Sequence, residues 1–252
     1  MRVNKEEEGQ RLPNYIQSHL STPLSLKAIK KVIEENGCRI NNRLERFASY
    51  HVKAGDSVEF TPTSQPELEM LYEDDYLAVL DKPAFLVCES EKGLLGWHLA
   101  HRLDKETTGC LLLAKDHDIE KALIALFKNR EVEKEYLALV EGCPTSSQAS
   151  EGIIEEPIEG QPAKTAWKVE RKISAKKSLL RCFPETGRTH QIRIHLAAIG
   201  HPIIGDWKYK STTPAKRIML HAVKIGFVHP IRKQWLSVNA PLPKDFYEAL
   251  DH

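Results

Sequence analysis

The chain has 252 residues and 41% apolar content, which fits an ordinary globular protein, and no apolar run is long enough to span a bilayer. Its net charge of +1 hides an uneven split: residues 61–162 hold 9 basic and 21 acidic residues, net −12, and residues 163–233 hold 16 and 3, net +13. Five scattered cysteines without a Cys-x-x-Cys pair argue against a zinc or disulfide framework, and a charged Met1–Gln10 argues against a secretory leader, so a cytoplasmic protein is expected.

Residues 8–60 read as a small separate unit. Leu12, Tyr15, Ile16 and His19 fall at helical spacing in Arg11–His19, with Pro13 tolerated in a first turn. Thr22-Pro23 breaks the chain. Ser25 caps a second helix, apolar along Leu26, Ile29, Val32 and Ile33, with Lys27, Lys30 and Lys31 on the other side. Asn36-Gly37 ends it. A strand at Cys38–Ile40, a turn at Asn41-Asn42 and a strand at Ser57–Phe60 after Gly55-Asp56 complete the unit. This order resembles the S4-like RNA-binding domain, with Asn42 where that family prefers Gly and Pro13 as a departure. The resemblance implies a domain over 1–60 with RNA contacts from Lys27, Lys30, Lys31, Arg39 and Arg43. A solvated helix face is the competing reading, and Glu34 and Glu35 dilute its charge.

Thr61–Pro66 reads as a linker, followed by a larger domain over 67–252. Alternating Leu68, Met70 and Tyr72, and then Tyr76–Leu80, predict strands stopped by Lys82-Pro83. Cys110–Ala114 is a short apolar run after Gly109 and predicts a buried strand. Asp118–Asn129 predicts an amphipathic helix through Ile119, Ala122, Leu123, Leu126 and Phe127. Lys134–Val140 predicts a strand with Tyr136, Ala138 and Val140 on one face, and Glu141–Glu151 a loop. Thr165–Ile173 and Leu179–Phe183 predict a strand pair. Thr189–Ala198 predicts a helix, apolar along Ile192, Leu196 and Ile199, with Arg193 beside that stripe and directed into a cleft. Trp207–Arg217 reads as a basic loop, Leu220–Val228 as a strand, and Lys244–Leu250 as a short helix.

The stretch His101–Gly109 is polar and charged, yet it runs straight into an apolar strand. Loops held by rigid elements are where chemistry is placed. Asp104 there serves equally as a turn residue, since Asp and Thr accept backbone N–H bonds and Gly109 supplies a positive φ. Arg102, two residues earlier, and a second polar constellation at Thr186–His195 favour a chemical role. His101–Gly109 resembles the HRLDxxTSG signature of the RluA-type RNA pseudouridine synthases, with Thr108 in place of Ser. Further blocks agree in the family's order: Leu80–Pro83, Glu133–Val140, Thr186–Arg193, and Leu220-His221-Ala222 with His229-Pro230.

The resemblance implies an α+β fold with a mixed, largely antiparallel central sheet flanked by helices. It implies isomerisation of uridine to pseudouridine in structured RNA, with ribosomal RNA favoured and transfer RNA the alternative. That reaction breaks a C–N glycosidic bond, turns the base and forms a C–C bond. It needs no redox step and no incoming group, so a positioned carboxylate suffices without metal, nucleotide or other cofactor. Asp104 is the implied catalytic residue. Arg193 would pair with it and keep it ionised, Tyr136 would lie against the uracil, and Arg102 would enter the RNA helix where the base leaves. Arg188 and His190 would contact phosphate or support the loop. A core tyrosine and a structural salt bridge are the plain readings of Tyr136 and Arg102. The basic segment suits a phosphate backbone, or else neutralises the acidic half by packing on it. The family commonly has Gly where Phe85 stands, and the segment between Pro83 and His101 is short for the family. A metal hydrolase using His98, His101 and Asp104 is disfavoured, because Gly109 and the strand leave little room for the helix it needs. A methyltransferase lacks its Gly-rich strand-to-helix turn here. An inactive RNA-binding or ribosome-assembly factor shares the charge pattern but has no use for a carboxylate facing an anion.

Overall fold

The computed structural model describes residues 1–20, 25–34, 37–61, 68–88, 94, 96–144 and 150–251. Two compact units emerge, Met1–Glu67 and Leu68–His252. The expected features at Thr22-Pro23, Asn36, linker residues 62–66 and loop residues 145–149 lie outside the described residues, as does part of the short segment before His101.

In the first unit, α1 (Leu12–His19) carries Pro13 in its first turn, where a missing N–H costs little. Ser25 caps α2 (Leu26–Glu34): its Oγ accepts the Ala28 N–H at 3.2 Å. Leu12, Tyr15 and Ile16 share one core with Ile29 and Ile33, Cys38 and Ile40 of β1 (Cys38–Ile40) and Val58 of β3 (Val58–Phe60). Leu26, expected on the apolar side of α2, stays 38% exposed in its first turn. β2 (Arg43–Leu44) pairs with β1 across Asn41-Asn42, whose φ angles of 51° and 65° are those of a tight hairpin turn. Asp56 locks the neighbouring turn by accepting from Asn41 Nδ2, the Tyr50 hydroxyl and the Lys53 N–H. Burial opposes its charge, but these bonds win and lower its pKa.

Among the described residues the second unit is built on ten strands: β4 (Glu69–Glu73), β5 (Leu77–Lys82), β6 (His98–Leu99), β7 (Thr108–Ala114), β8 (Glu133–Glu141), β9 (Glu151–Ile154), β10 (Thr165–Ser174), β11 (Lys177–Pro184), β12 (Leu220–Val228) and β13 (Trp235–Asn239). Their order is β4-β5-β7-β12-β8-β11-β10-β9, with β6 added to β7 and β13 to β12. Among the described strands only β7 and β12 run parallel, so the sheet is mixed and largely antiparallel, as expected. Among the described residues three α-helices accompany it: α3 (His117–Lys128), α4 (Gln191–Ala198) and α5 (Lys244–Asp251).

β7 is buried at every position, which is why its sequence is a continuous apolar run rather than an alternation. Leu112 packs with Ile119 and Leu123 of α3; Leu111 and Leu113 pack with Leu80 and Leu99 in a second cluster. Each such leucine contributes roughly 1.5–3 kcal/mol on burial. Leu196 of α4 and Phe246 of α5 close a third cluster on β8 and β11. α4 departs from expectation. It starts only at Gln191, because His190 adopts a left-handed φ of 57°. Ile199 is its C-cap and 36% exposed, while Gln191, Arg193 and His195 are buried beside Ile192 and Leu196. Among the described residues no helix is long and apolar enough to cross a membrane.

Candidate active site

The loop between β6 and β7 is anchored along its length. Lys82 Nζ, fully buried at the end of β5, donates to the carbonyls of Pro83 and Lys105 at 3.0 and 3.1 Å. Burial pushes this ammonium down to about 8. The Phe85 N–H donates to the Lys105 carbonyl at 2.7 Å. Phe85 holds φ 69°, so the turn keeps the left-handed geometry that glycine would adopt freely. Arg217 Nη1 donates to the Glu106 carbonyl at 3.3 Å, and Glu106 Oε2 accepts the Ile218 N–H at 3.0 Å. Arg217, the last residue of the expected basic loop, is buried and paired with Asp245 at 2.7 Å. His101 Nε2 accepts the Leu112 N–H at 2.9 Å. Burial, helped by Lys134, pushes the ring down to about 3, so it is a neutral acceptor. At Gly109 a Cβ would collide with the Ala222 carbonyl, and φ is 103°, so glycine is needed where β12 approaches. Thr108 Oγ1 is hydrogen-bonded to His221 Nδ1 at 2.9 Å, joining two distant sequence blocks.

Asp104 sits on this loop with its side chain 27% exposed. Arg193 Nη1 donates to its Oδ2 at 3.0 Å. The same guanidinium donates through Nε and Nη2 to Asp206 at 2.6 and 3.0 Å, and Asp206 is 1% exposed. Burial opposes the charge of Arg193, but the bonds to Asp206 and Asp104 outweigh it and raise its pKa. The Tyr209 ring lies 5.0 Å from the guanidinium carbon, and its hydroxyl is hydrogen-bonded to His190 Nδ1 at 2.9 Å. His190 Nε2 is 3.9 Å from Asp104 Oδ1, and burial lowers its pKa.

These groups open onto a cleft of about 580 Å³. Asp104, Tyr136, Arg193, Arg102, Arg188 and His190 all line it. Tyr136 is half-buried on β8; burial first, then the Asp104 charge, raises its phenol pKa, so the hydroxyl stays protonated. Arg102 is exposed and donates to Thr189 Oγ1 at 3.3 Å. Arg188 is half-buried and donates to the Pro162 carbonyl at 3.2 Å. Lys134 donates to the Thr186 carbonyl at 3.3 Å, and burial lowers it to about 8. Among the lining residues six lysines and arginines face two carboxylates, Asp104 and Glu185, so the cleft favours an anionic ligand.

Several groups have no announced role in the sequence. Asp206 follows Gly205, and Gly-Asp reads as a turn, which it is: Gly205 has φ 83°. Only its burial makes it a partner for Arg193. Gln191 Oε1 accepts from Thr186 Oγ1 and the Arg188 N–H at 2.6 and 3.0 Å, while its Nε2 donates to the Lys164 carbonyl at 2.9 Å. It thereby fixes the Thr186–Arg188 loop. His98, His101 and Asp104 share no helix face, because His98 is in β6 and the others are in the loop. Lys27, Lys30, Lys31, Arg39 and Arg43 are all exposed and belong to the first unit. The oppositely charged halves interleave: β8 lies between β11 and β12, and Glu135 pairs with Arg181 and Lys224 at 2.8 and 3.0 Å. Part of the basic charge is therefore neutralised internally.

Residues 76–198 match the family model described as RNA pseudouridylate synthase. Human RNA Pseudouridylate Synthase Domain Containing 4 shares 26% identity, with a TM-score of 0.61 over 72% of this chain and 91% of that one. Human RNA Pseudouridylate Synthase Domain Containing 1 also shares 26%, with a TM-score of 0.60 over 73% and 87%. The fold is thus that of a pseudouridine synthase. Ribosomal large subunit pseudouridine synthase C of Salmonella typhi is 30% identical over 99% of this chain and 94% of its own length. Its counterpart in Escherichia coli strain K12 is 30% identical over 98% and 94%. The chain belongs to the RNA pseudouridylate synthase family, the isomerases that convert uridine in RNA to pseudouridine.

Proposed function

We propose that the chain isomerises specified uridines of ribosomal RNA, with Asp104 as the reacting carboxylate. The observation that carries this reading is the run Asp104–Arg193–Asp206, in which a buried guanidinium is gripped by one carboxylate and presents its remaining edge to another at the cleft. Asp104 acts either as nucleophile at C1′ or as base towards the C2′ proton. On both routes the C1′–N1 bond breaks, the base turns, the C1′–C5 bond forms, the C5 proton leaves and the freed N1 takes up a proton. Atoms and electrons balance within the nucleotide, so no cofactor or metal is required.

The positions of the other residues support their proposed roles. Tyr136 offers a neutral ring and hydroxyl to the base, and exposed Arg102 can fill the gap left by an extruded nucleotide. Arg188, His190 and Lys134 suit the phosphates. Met1–Phe60 serves as an S4-like RNA-binding domain, residues 61–66 as linker and 67–252 as catalytic domain. Its lysine face and Arg39 and Arg43 would hold structured RNA outside the cleft. Five free cysteines are consistent with a cytoplasmic site of action.

Ribosomal RNA is preferred because the relatives described above are named for the large ribosomal subunit. Pseudouridine maps of total RNA from cells with and without the protein test this. The expected result is loss of signal at large-subunit uridines. Loss confined to transfer RNA would move the substrate there, and no loss anywhere would reject the reading.

A further inference from the structure

Away from the cleft, β6 and the first turn of α3 bring His98, His117 and Glu120 together. His117 Nδ1 lies 2.9 Å and His98 Nδ1 3.7 Å from the same Glu120 Oε2. The two imidazole rings are 4.0 Å apart, and one donor atom from each residue falls within 4.8 Å of the others. None of the three lines the catalytic cleft. Their arrangement is not a demand of packing: Ile119 and Leu123, not these three, carry α3 into the core. Two protonated imidazoles this close would repel, whereas two neutral ones offer two lone pairs beside a carboxylate.

The geometry points to a site for one divalent transition cation of the zinc class at His98, His117 and Glu120. Two imidazole nitrogens and a carboxylate oxygen are the donor set such an ion takes, while magnesium and calcium prefer oxygen alone. Around tetrahedral zinc, neighbouring donors stand about 3.3 Å apart, given bond lengths of about 2.0–2.1 Å. The 2.9 and 3.7 Å separations bracket that spacing. His117 is 73% exposed, so its side-chain torsions alone can close the remaining gap. The fourth position opens to solvent and would take water. The positive end of α3 opposes a cation, but Asp116, Asp118 and Glu120 offset it. Lys115 is turned to Glu73 at 3.0 Å and to the Trp97 ring, and Lys121, next to Glu120, pairs with Asp118 at 3.2 Å.

The ion would clip β6 to α3 at the entry of the loop that carries Asp104. It would take no part in the isomerisation, so its effect falls on stability. The test uses the full chain without a polyhistidine tag, stripped with a chelator and titrated with Zn²⁺ by calorimetry. One equivalent is expected to bind. At a tenfold excess of free Zn²⁺ over Kd, Tm should rise by about 3–6 °C. Co²⁺ in its place should show the visible absorption of a four-coordinate ion. The exposed change His117→Ala should weaken binding at least about tenfold, and His98→Gln with His117→Ala should abolish it, with RNA turnover unchanged in both. No binding by the wild type, or undiminished binding by the double variant, would overturn the site.

Discussion

The cleft of Leu68–His252 and the basic surface of Met1–Glu67 use charge in opposite ways. In the cleft Arg193 is 6% exposed and bound to two carboxylates, one of them almost wholly buried. In the small unit Lys27, Lys30, Lys31, Arg39 and Arg43 stand in solvent. Desolvating an ion pair costs several kcal/mol per ion, so the buried arrangement gives position rather than stability. Exposed pairs are worth about 0–1 kcal/mol and are screened by salt. A reacting carboxylate needs the first kind of charge. A surface that follows a phosphate backbone needs only the second.

The largest way to break this contrast is Asp206→Ala. It would leave the Arg193 charge buried and short of a partner, costing about 3–5 kcal/mol, and misplace Asp104, slowing turnover about 10²-fold. Denaturant unfolding and single-turnover kinetics check it; wild-type values in both would break the contrast. Next is Asp74, whose side chain is 5% exposed. Burial opposes its charge, but backbone N–H groups, the Tyr72 hydroxyl and His229 hold it down to about 2. Its folded pKa lies below the ordinary 3.8, so its stabilisation is present above about pH 4 and lost as pH falls towards 2. That is about 2 kcal/mol, and a urea series from about pH 5 to 2.5 should show it in the wild type and not in Asp74→Asn.

In the small unit, Lys27→Gln, Lys30→Gln and Lys31→Gln together should weaken RNA binding and flatten its salt dependence, by about 0.7–0.9 in slope for each phosphate no longer neutralised. The rate at saturating RNA should not change. Smallest is Phe85→Gly, which relieves a left-handed φ of 69° and should raise stability by no more than about 1 kcal/mol in thermal unfolding.

What the sequence can show follows the same division. β7, α3, β8 and β12 are legible because buried strands and amphipathic helices write their periodicity into residue type. β2 and β6, of two residues each, are too short to leave a pattern, and edge strand β13 keeps Trp235 52% exposed. The six cleft residues emerge through motif resemblance; spacing alone leaves Tyr136 and Arg102 as ordinary structural groups. Asp206 escapes because a buried carboxylate after glycine has the same letters as a surface turn. Ile199 misleads for the complementary reason: α4 is two turns long, and its buried face is largely polar. His98 and His117 lie far apart in sequence, so only the pairing of β6 with β7 and the start of α3 bring them together.

On the proposed reading Asp104 performs the chemistry while the exposed cations only hold RNA. Single-turnover pseudouridine formation at saturating ribosomal RNA, measured for the wild type, Asp104→Asn and the triple lysine variant, separates the two roles. Asp104→Asn should give no product with RNA affinity within about tenfold of wild type, or about 1.4 kcal/mol, and the lysine variant should react at the wild-type rate. Product formed by Asp104→Asn at a rate near that of the wild type would contradict that reading.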